Sequence, residues 1–382
     1  MSSKQHIAII GAGASGLFLA KKLSEQPHLE VTVFEKNRQV GAKLRASGGG
    51  KANIFNRDIR PEHYNQPEFI AKLLQQYSPE QLENQFGAWG MVTIADEEGR
   101  VYPASQFSQT VVDVLNTYLS DNIRVVTECD IQHIICKGGK WLIDDCPPFD
   151  VLVLATGSPA GMIPKNQRGY NGYLQDLSLK INTLQPSLSG FLLKNYPKSL
   201  SGCRTKAIVS LYQDKKLIHK EFGEITFKDD GVSGIVIMNL SAYYRRLKST
   251  KNCRLEINLT YWDEYFDINT YLQQNQSVTG LLHPKLANLY QQKPFPIQQF
   301  SFQIEDTYAL DTAQVAHGGI DLSEIDGHFA AKRHENLYIL GEMLDVDGVC
   351  GGYNLFFAFA SAAVVANDIL IANSQCSKAK MR

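Results

Sequence analysis

The feature that most constrains this chain is Gly11-Ala-Gly13-Ala-Ser-Gly16, set between the β-branched run Ile7–Ile10 and Leu17–Leu23, whose apolar residues have helical spacing. A second strand-like run, Val31–Phe34, follows and ends in Glu35. Glycines are common in turns; what gives this G-x-G-x-x-G weight is its position between a strand and a helix. Gly11 permits the tight turn, Gly13 lets backbone approach a pyrophosphate, and Gly16 lets helix and strand pack closely. The first helical turn, from Ala14 and Ser15, offers free N–H groups and a positive dipole end to phosphates. Glu35 falls near the distance at which a carboxylate accepts hydrogen bonds from a ribose, and it disfavours a 2′-phosphate.

Length and charge narrow the remainder. A chain of 382 residues suggests two to three domains and can bury a core without staples. Its 38 Lys+Arg and 39 Asp+Glu leave a net charge of −1, which offers no polybasic field and makes nucleic acid a poor first expectation. Seven cysteines are scattered without a C-x-x-C pair, so a disulfide framework, a zinc site and a redox dithiol all lack their usual spacing. Reduced thiols in a cytoplasmic protein are expected. The N-terminus enters Ile7 without a signal-peptide pattern, and the apolar run Leu355–Ala366 is shorter than the roughly 20 residues a bilayer demands.

Three later segments bear on the ligand. Gly41-Ala-Lys43 leads to Ser47-Gly48-Gly49-Gly50-Lys51-Ala-Asn53, a loop able to lie flat against a ring or phosphate. Phe149–Leu154 runs into Ala155-Thr156-Gly157, and Asn336–Leu340 runs into Gly341-Glu342. Then Gly341–Asp345-Val-Asp347-Gly leads to Gly351-Gly352-Tyr353-Asn354-Leu355 and an apolar helix. A helix starting near Asn354 points its positive end at whatever the glycines approach. Tyr353 can border a ring or pack in the core; Asp345 and Asp347 can accept hydrogen bonds from a ring or cap the turn. His317, before Gly318-Gly319, is a candidate for proton transfer, and no general base is named.

With these motifs the chain resembles the BaiN-like bacterial NAD(P)/FAD-dependent oxidoreductases, the aminoacetone oxidase-like flavoproteins. Beyond the segments above, Gly231-Val-Ser-Gly234 and Gln314–Leu322 carry the likeness. It implies an α/β fold: a Rossmann-like FAD-binding domain of the glutathione-reductase type, interrupted by a small β-barrel-like domain with a helical insert. The expected boundaries are 1–185 and 303–382 for the FAD domain and 186–302 for the barrel, with the insert at about 240–293. The implied FAD contacts come from Gly11, Gly13, Ala14, Ser15, Gly16, Glu35, Lys36, Lys43, Ser47, Gly48, Gly49, Asn53, Ile131, Ala155, Thr156, Gly157, Gly341, Glu342, Asp347, Gly352, Tyr353, Asn354 and Leu355. No metal is implied. Three positions depart from the family pattern: Lys51-Ala52 stands for Arg-Cys, Tyr170-Asn171-Gly172-Tyr173 for Gly-Asp-Gly-Tyr, and Cys350 for Thr.

A flavin carries the difficult chemistry, so side-chain acid–base pairs are not required. The expected reaction is hydride transfer between flavin N5 and a small molecule, with NAD(P)H as a transient second substrate or O2 as acceptor. No second G-x-G-x-x-G provides a separate nicotinamide domain. No nucleic-acid or membrane partner is expected. A non-catalytic flavin-binding protein and a tRNA-modifying flavoprotein remain as alternatives; a phosphate-contact stripe on the folded surface would favour the latter.

Overall fold

The computed structural model describes residues 4–117, 119–161, 173–262, 266–275 and 277–379; Tyr170-Asn171-Gly172 lies outside them. The chain divides into two compact units. One comprises Met1–Pro159, Ile163–Leu184 and Gly318–Arg382; the other comprises Ala160–Met162 and Gln185–His317.

The first unit is built on a five-stranded sheet of β1 (Gln5–Ile10), β2 (Leu29–Phe34), β3 (Ile123–Val126), β4 (Val151–Leu154) and β5 (Leu337–Ile339), in the order β5-β4-β1-β2-β3. Every pairing is parallel. Parallel strands are covered on both faces, so they read as unbroken apolar runs, and all four residues of β4 are buried. The chain runs from central β1 to β2 on one side and later returns as β4 on the other. The crevice for a ligand therefore opens at the carboxyl ends of β1 and β4.

The helix Ala14–Leu23 lies against the C-terminal helix Tyr353–Ala379, with Phe18 5.4 Å from Phe359; Phe86 and Trp89 complete a mostly edge-to-face cluster. Phe356, Phe357 and Phe359 are buried, as are Ala358, Ala360, Ala362 and Ala363. Over the 20 residues Tyr353–Ala372 this helix is long and apolar enough, by length and composition, to cross a bilayer. The helix outlasts the apolar run Leu355–Ala366, because Asn367 and Asp368 break the run without ending the helix. Its apolar surface is mostly used within the unit.

The second unit is a closed six-stranded antiparallel barrel in the order Phe191–Leu193, Gly231–Ser233, Lys216–Phe227, Arg204–Gln213, Cys253–Asn258 and Phe300–Thr307. Its interior is filled by Phe191, Val209, Leu211, Ile225, Phe227, Leu255 and Ile257. One expectation is corrected here. Phe300–Thr307 does not lead back into the first unit from residue 303: it pairs with Cys253–Asn258 and Phe191–Leu193 and closes the barrel. Burial of Phe300, Phe302 and Ile304 on alternate positions drives this. Within the span expected for the helical insert, the helix Ile235–Arg245 precedes the barrel strand Cys253–Asn258, and the helices Ile268–Asn275 and Pro284–Gln292 follow it.

Candidate dinucleotide site

The turn after β1 is held in place from several directions. Gly11 donates to Phe34 O at 2.7 Å, and Ala155 donates to Ile10 O at 2.8 Å. Gly11 has φ +106°, and a Cβ there would lie 2.5 Å from Ala155 O. A Cβ on Gly16 would lie 1.9 Å from Gly11 O. Protein atoms thus occupy the space that these two glycines vacate. Gly13 differs: its φ is −81°, and a Cβ would meet nothing within 4 Å. No side chain caps the helix that follows, and no acid stands in its first turn. An uncapped helix N-terminus beside an open glycine is a fitting cradle for a diphosphate.

Glu35 is buried at the end of β2. Its Oε2 accepts from Ala12 N–H at 3.0 Å, and its Oε1 accepts from the backbone and side-chain N–H of Asn37 at 2.9 and 2.6 Å. The carboxylate therefore fixes the glycine turn while keeping acceptor capacity for a ribose. Lys36 follows, half-buried. Cys129 N–H donates to Glu35 O at 2.9 Å, which brings the segment bearing buried Ile131 alongside this acid.

On the other side of β1, two turns meet. Lys43 Nζ lies 2.6 Å from Glu342 Oε2, and Ser158 Oγ donates to Glu342 Oε1 at 2.7 Å. Thr156 offers its N–H and hydroxyl to Met343 Sδ at 3.3 Å. A Cβ on Gly341 would lie 3.0 Å from Ser15 Oγ, so the start of the first helix and the end of β5 are immediate neighbours. Gly157 flanks the same carboxylate.

The second glycine loop hangs on the first, since Gly41 N–H donates to Ala12 O at 2.8 Å. A short helix, Ala42–Ala46, presents Lys43; Ser47–Gly50 then makes a tight turn with Gly48 and Gly49 left-handed and exposed. Asn53, in the amide orientation that satisfies both groups, donates to Phe55 O at 3.0 Å and accepts from Gly352 N–H at 3.1 Å. Asn354 closes the last turn by exchanging two 2.9 Å hydrogen bonds with the backbone of Gly348; Leu355 beside it is half-buried.

Tyr353 is 6% exposed, its ring edge-on to His63 and Tyr64. Its hydroxyl lies 2.7 Å from His63 Nδ1, the partner a buried phenol requires. Burial pushes the Tyr64 hydroxyl well above its ordinary pKa. Asp345 is neither a turn cap nor open to solvent: it accepts from Asn65 Nδ2 at 2.9 Å, Asn182 Nδ2 at 2.8 Å and Gly318 N–H at 3.1 Å. Asp347 is buried beside it, its N–H donating to Asn65 Oδ1. His317 belongs to the second unit. Sequence reading did not reach Ser158, His63, Asn65 or Asn182. Ser158 directly follows Ala155-Thr156-Gly157 and was within reach; the others carry no motif, His63 ending a short 3-10 turn, Asn65 in the loop after it and Asn182 in the strand Ile181–Ser187.

A family model described as the HI0933-like protein Rossmann domain matches residues 5–368. A 3-dehydro-bile acid delta(4,6)-reductase of Clostridium scindens is 26% identical, the alignment covering 93% of this chain and 96% of the relative. Ribosomal RNA dihydrouridine synthases of Haemophilus influenzae and Escherichia coli are 24% and 25% identical, over 97% and 96% of this chain and 99% and 98% of theirs. The likeness to BaiN-like oxidoreductases drawn from the motifs is borne out, and the chain belongs to the HI0933-like Rossmann family.

Proposed function

We propose that this protein is an FAD-dependent oxidoreductase, with a cofactor domain of the glutathione-reductase type, that saturates a carbon–carbon double bond conjugated to a carbonyl. The observation carrying this reading is the convergence of four turns at the carboxyl ends of the parallel strands: Gly11–Gly16, Glu35, Ala155–Ser158 and Gly341–Met343. The open Cβ position of Gly13 and the uncapped helix behind it receive the diphosphate. Glu35 takes the adenosine ribose, and Glu342, braced by Lys43 and Ser158, faces the ribityl chain. The start of the C-terminal helix sets a positive dipole end toward the ring.

Bound FAD supplies hydride transfer at its N5. The names of both kinds of relative denote saturation of a C=C bond, one in a 3-dehydro steroid and one in the uridine ring. A hydride and a proton add across that bond, and NAD(P)H, oxidised to NAD(P)+, is the reductant. The test is anaerobic. The holoprotein should bleach near the flavin absorbance maxima with NADH or NADPH and recover colour with a cyclic enone. Failure to take up FAD overturns the cofactor; bleaching that only O2 reverses overturns the enone reading and leaves an oxidase.

A further inference from the structure

The neutral charge of the whole chain hides an uneven distribution. Between residues 204 and 254, 11 Lys and Arg stand against 5 Asp and Glu. Lys215 and Lys216 form the tip of the hairpin joining Arg204–Gln213 to Lys216–Phe227. That tip is tied to the loop carrying Lys248 and Lys251: Gln213 Nε2 donates to Ser249 O at 2.6 Å, and Asp214 N–H donates to Asn252 O at 3.1 Å. All four lysines are exposed. The acid among them, Asp214, is engaged by Asn252 Nδ2 at 2.8 Å.

Cross-strand register extends this end along one outer face of the barrel. Tyr212 lies beside Arg254; next come Lys220, Ser210 and Glu256 in one row, then Phe222, Ile208 and Asn258 in another. Glu256 is faced by Arg254 at 3.9 Å. An open groove of about 700 Å³ lies over these rows, walled on its far side by Tyr290, Phe295 and Gln298. Asn258 Oδ1 accepts from Thr260, leaving its amide NH2 without a protein partner among the described residues. At the edge, Phe222 is 57% exposed, with Tyr261 5.3 Å from it and Trp262, 49% exposed, next in line. By strand rise, the distance from Lys215 to Phe222 is about 20 Å.

We infer that this outer face of the barrel, from the Lys215–Lys216 hairpin across the groove to Phe222 and Tyr261, binds single-stranded RNA. Lysines at one end neutralise phosphates. Exposed rings at the other stack on bases, which only an unpaired strand presents. Amide and hydroxyl groups between them suit base edges and the 2′-hydroxyl, which deoxyribose lacks. The inference stands on the second unit alone and is independent of the flavin reading.

Fluorescence anisotropy of a labelled 20-nucleotide single-stranded RNA with the full chain tests it. Binding should weaken steeply as salt rises. K215E/K216E/K248E/K251E should lower affinity at least tenfold and flatten the salt dependence by about 2–3 in log–log slope. F222A/Y261A should weaken binding with that slope unchanged, and both variants should retain wild-type thermal melts. No binding at low salt, unchanged affinity after charge reversal, or equal binding of the deoxy oligonucleotide or an RNA duplex would each overturn the inference. Flavin content, measured in parallel, reports on the cofactor reading separately.

Discussion

The carboxylate of Glu35, at the end of β2, accepts a hydrogen bond from the backbone N–H of Ala12 at 3.0 Å. An acid read from the sequence as a ribose ligand thus also holds the glycine turn in shape. Glu35→Ala leaves the buried N–H of Ala12 and the half-buried N–H groups of Asn37 without an acceptor, which lowers the melting temperature even without ligand. It also weakens FAD binding by about 1.5–3 kcal/mol, from the loss of charged hydrogen bonds. Glu35→Gln keeps one acceptor oxygen and falls between. Melts of the ligand-free protein beside FAD titrations separate the two roles; an unchanged ligand-free melt sinks the turn-holding role.

The three motif glycines separate into two kinds. At Gly11 a Cβ would press to 2.5 Å from Ala155 O, in a backbone conformation that L-residues avoid. Gly11→Ala therefore costs at least about 2 kcal/mol of fold stability. Gly13→Val meets no heavy atom at the Cβ and has ordinary dihedrals, so the protein folds normally and loses FAD retention. Purified Gly13→Val protein, well folded by circular dichroism and still yellow at wild-type occupancy, would place the diphosphate elsewhere.

Much of this site was legible because its causes are local. A glycine pattern between a strand and a helix states what the backbone must do at Gly11, Gly13 and Gly16 without reference to distant residues. The first unit's use of both chain ends could be read from Ala155–Gly157 and Gly341–Glu342, since each follows a buried apolar strand. Closure of the barrel by Phe300–Thr307 was not legible: alternating Phe300, Phe302 and Ile304 fit any half-buried strand, and only pairing across long sequence gaps selects the partner. Asn65 and Asn182 were equally hidden, because their role is to satisfy Asp345 after three distant segments have come together. Net charge averaged away the lysines of one barrel end.

The six cysteines whose side chains are described are free, and their environments rank their reactivity. Burial pushes the thiols of Cys203 and Cys253 up to about 11, whereas Cys136 is exposed. The thiolate is the nucleophile, so at pH 8 iodoacetamide should modify Cys136 first and leave Cys203 and Cys253 unmodified until the barrel unfolds. Peptide mass spectrometry over a time course reads this order. Early alkylation of Cys203 or Cys253 in folded protein contradicts the closed barrel core.

Asp321 sets a pH limit on the first unit. Lys180 lies 2.8 Å from its Oδ2, Ser323 N–H donates to its Oδ1 at 2.9 Å and Asn182 Nδ2 adds a third contact, together holding its carboxyl well below the usual carboxylate range. A folded-state pKa below the unfolded value of about 3.9 means the unfolded chain binds the proton first as pH falls. The stabilisation is complete above the unfolded value and disappears as pH drops through the folded one. Asp321→Asn should therefore be less stable than wild type at pH 7, with the gap narrowing below about pH 4 and closing in stronger acid. Urea melts from pH 7 to pH 2.5 measure the gap, and one that stays constant across that range removes Asp321 as its source.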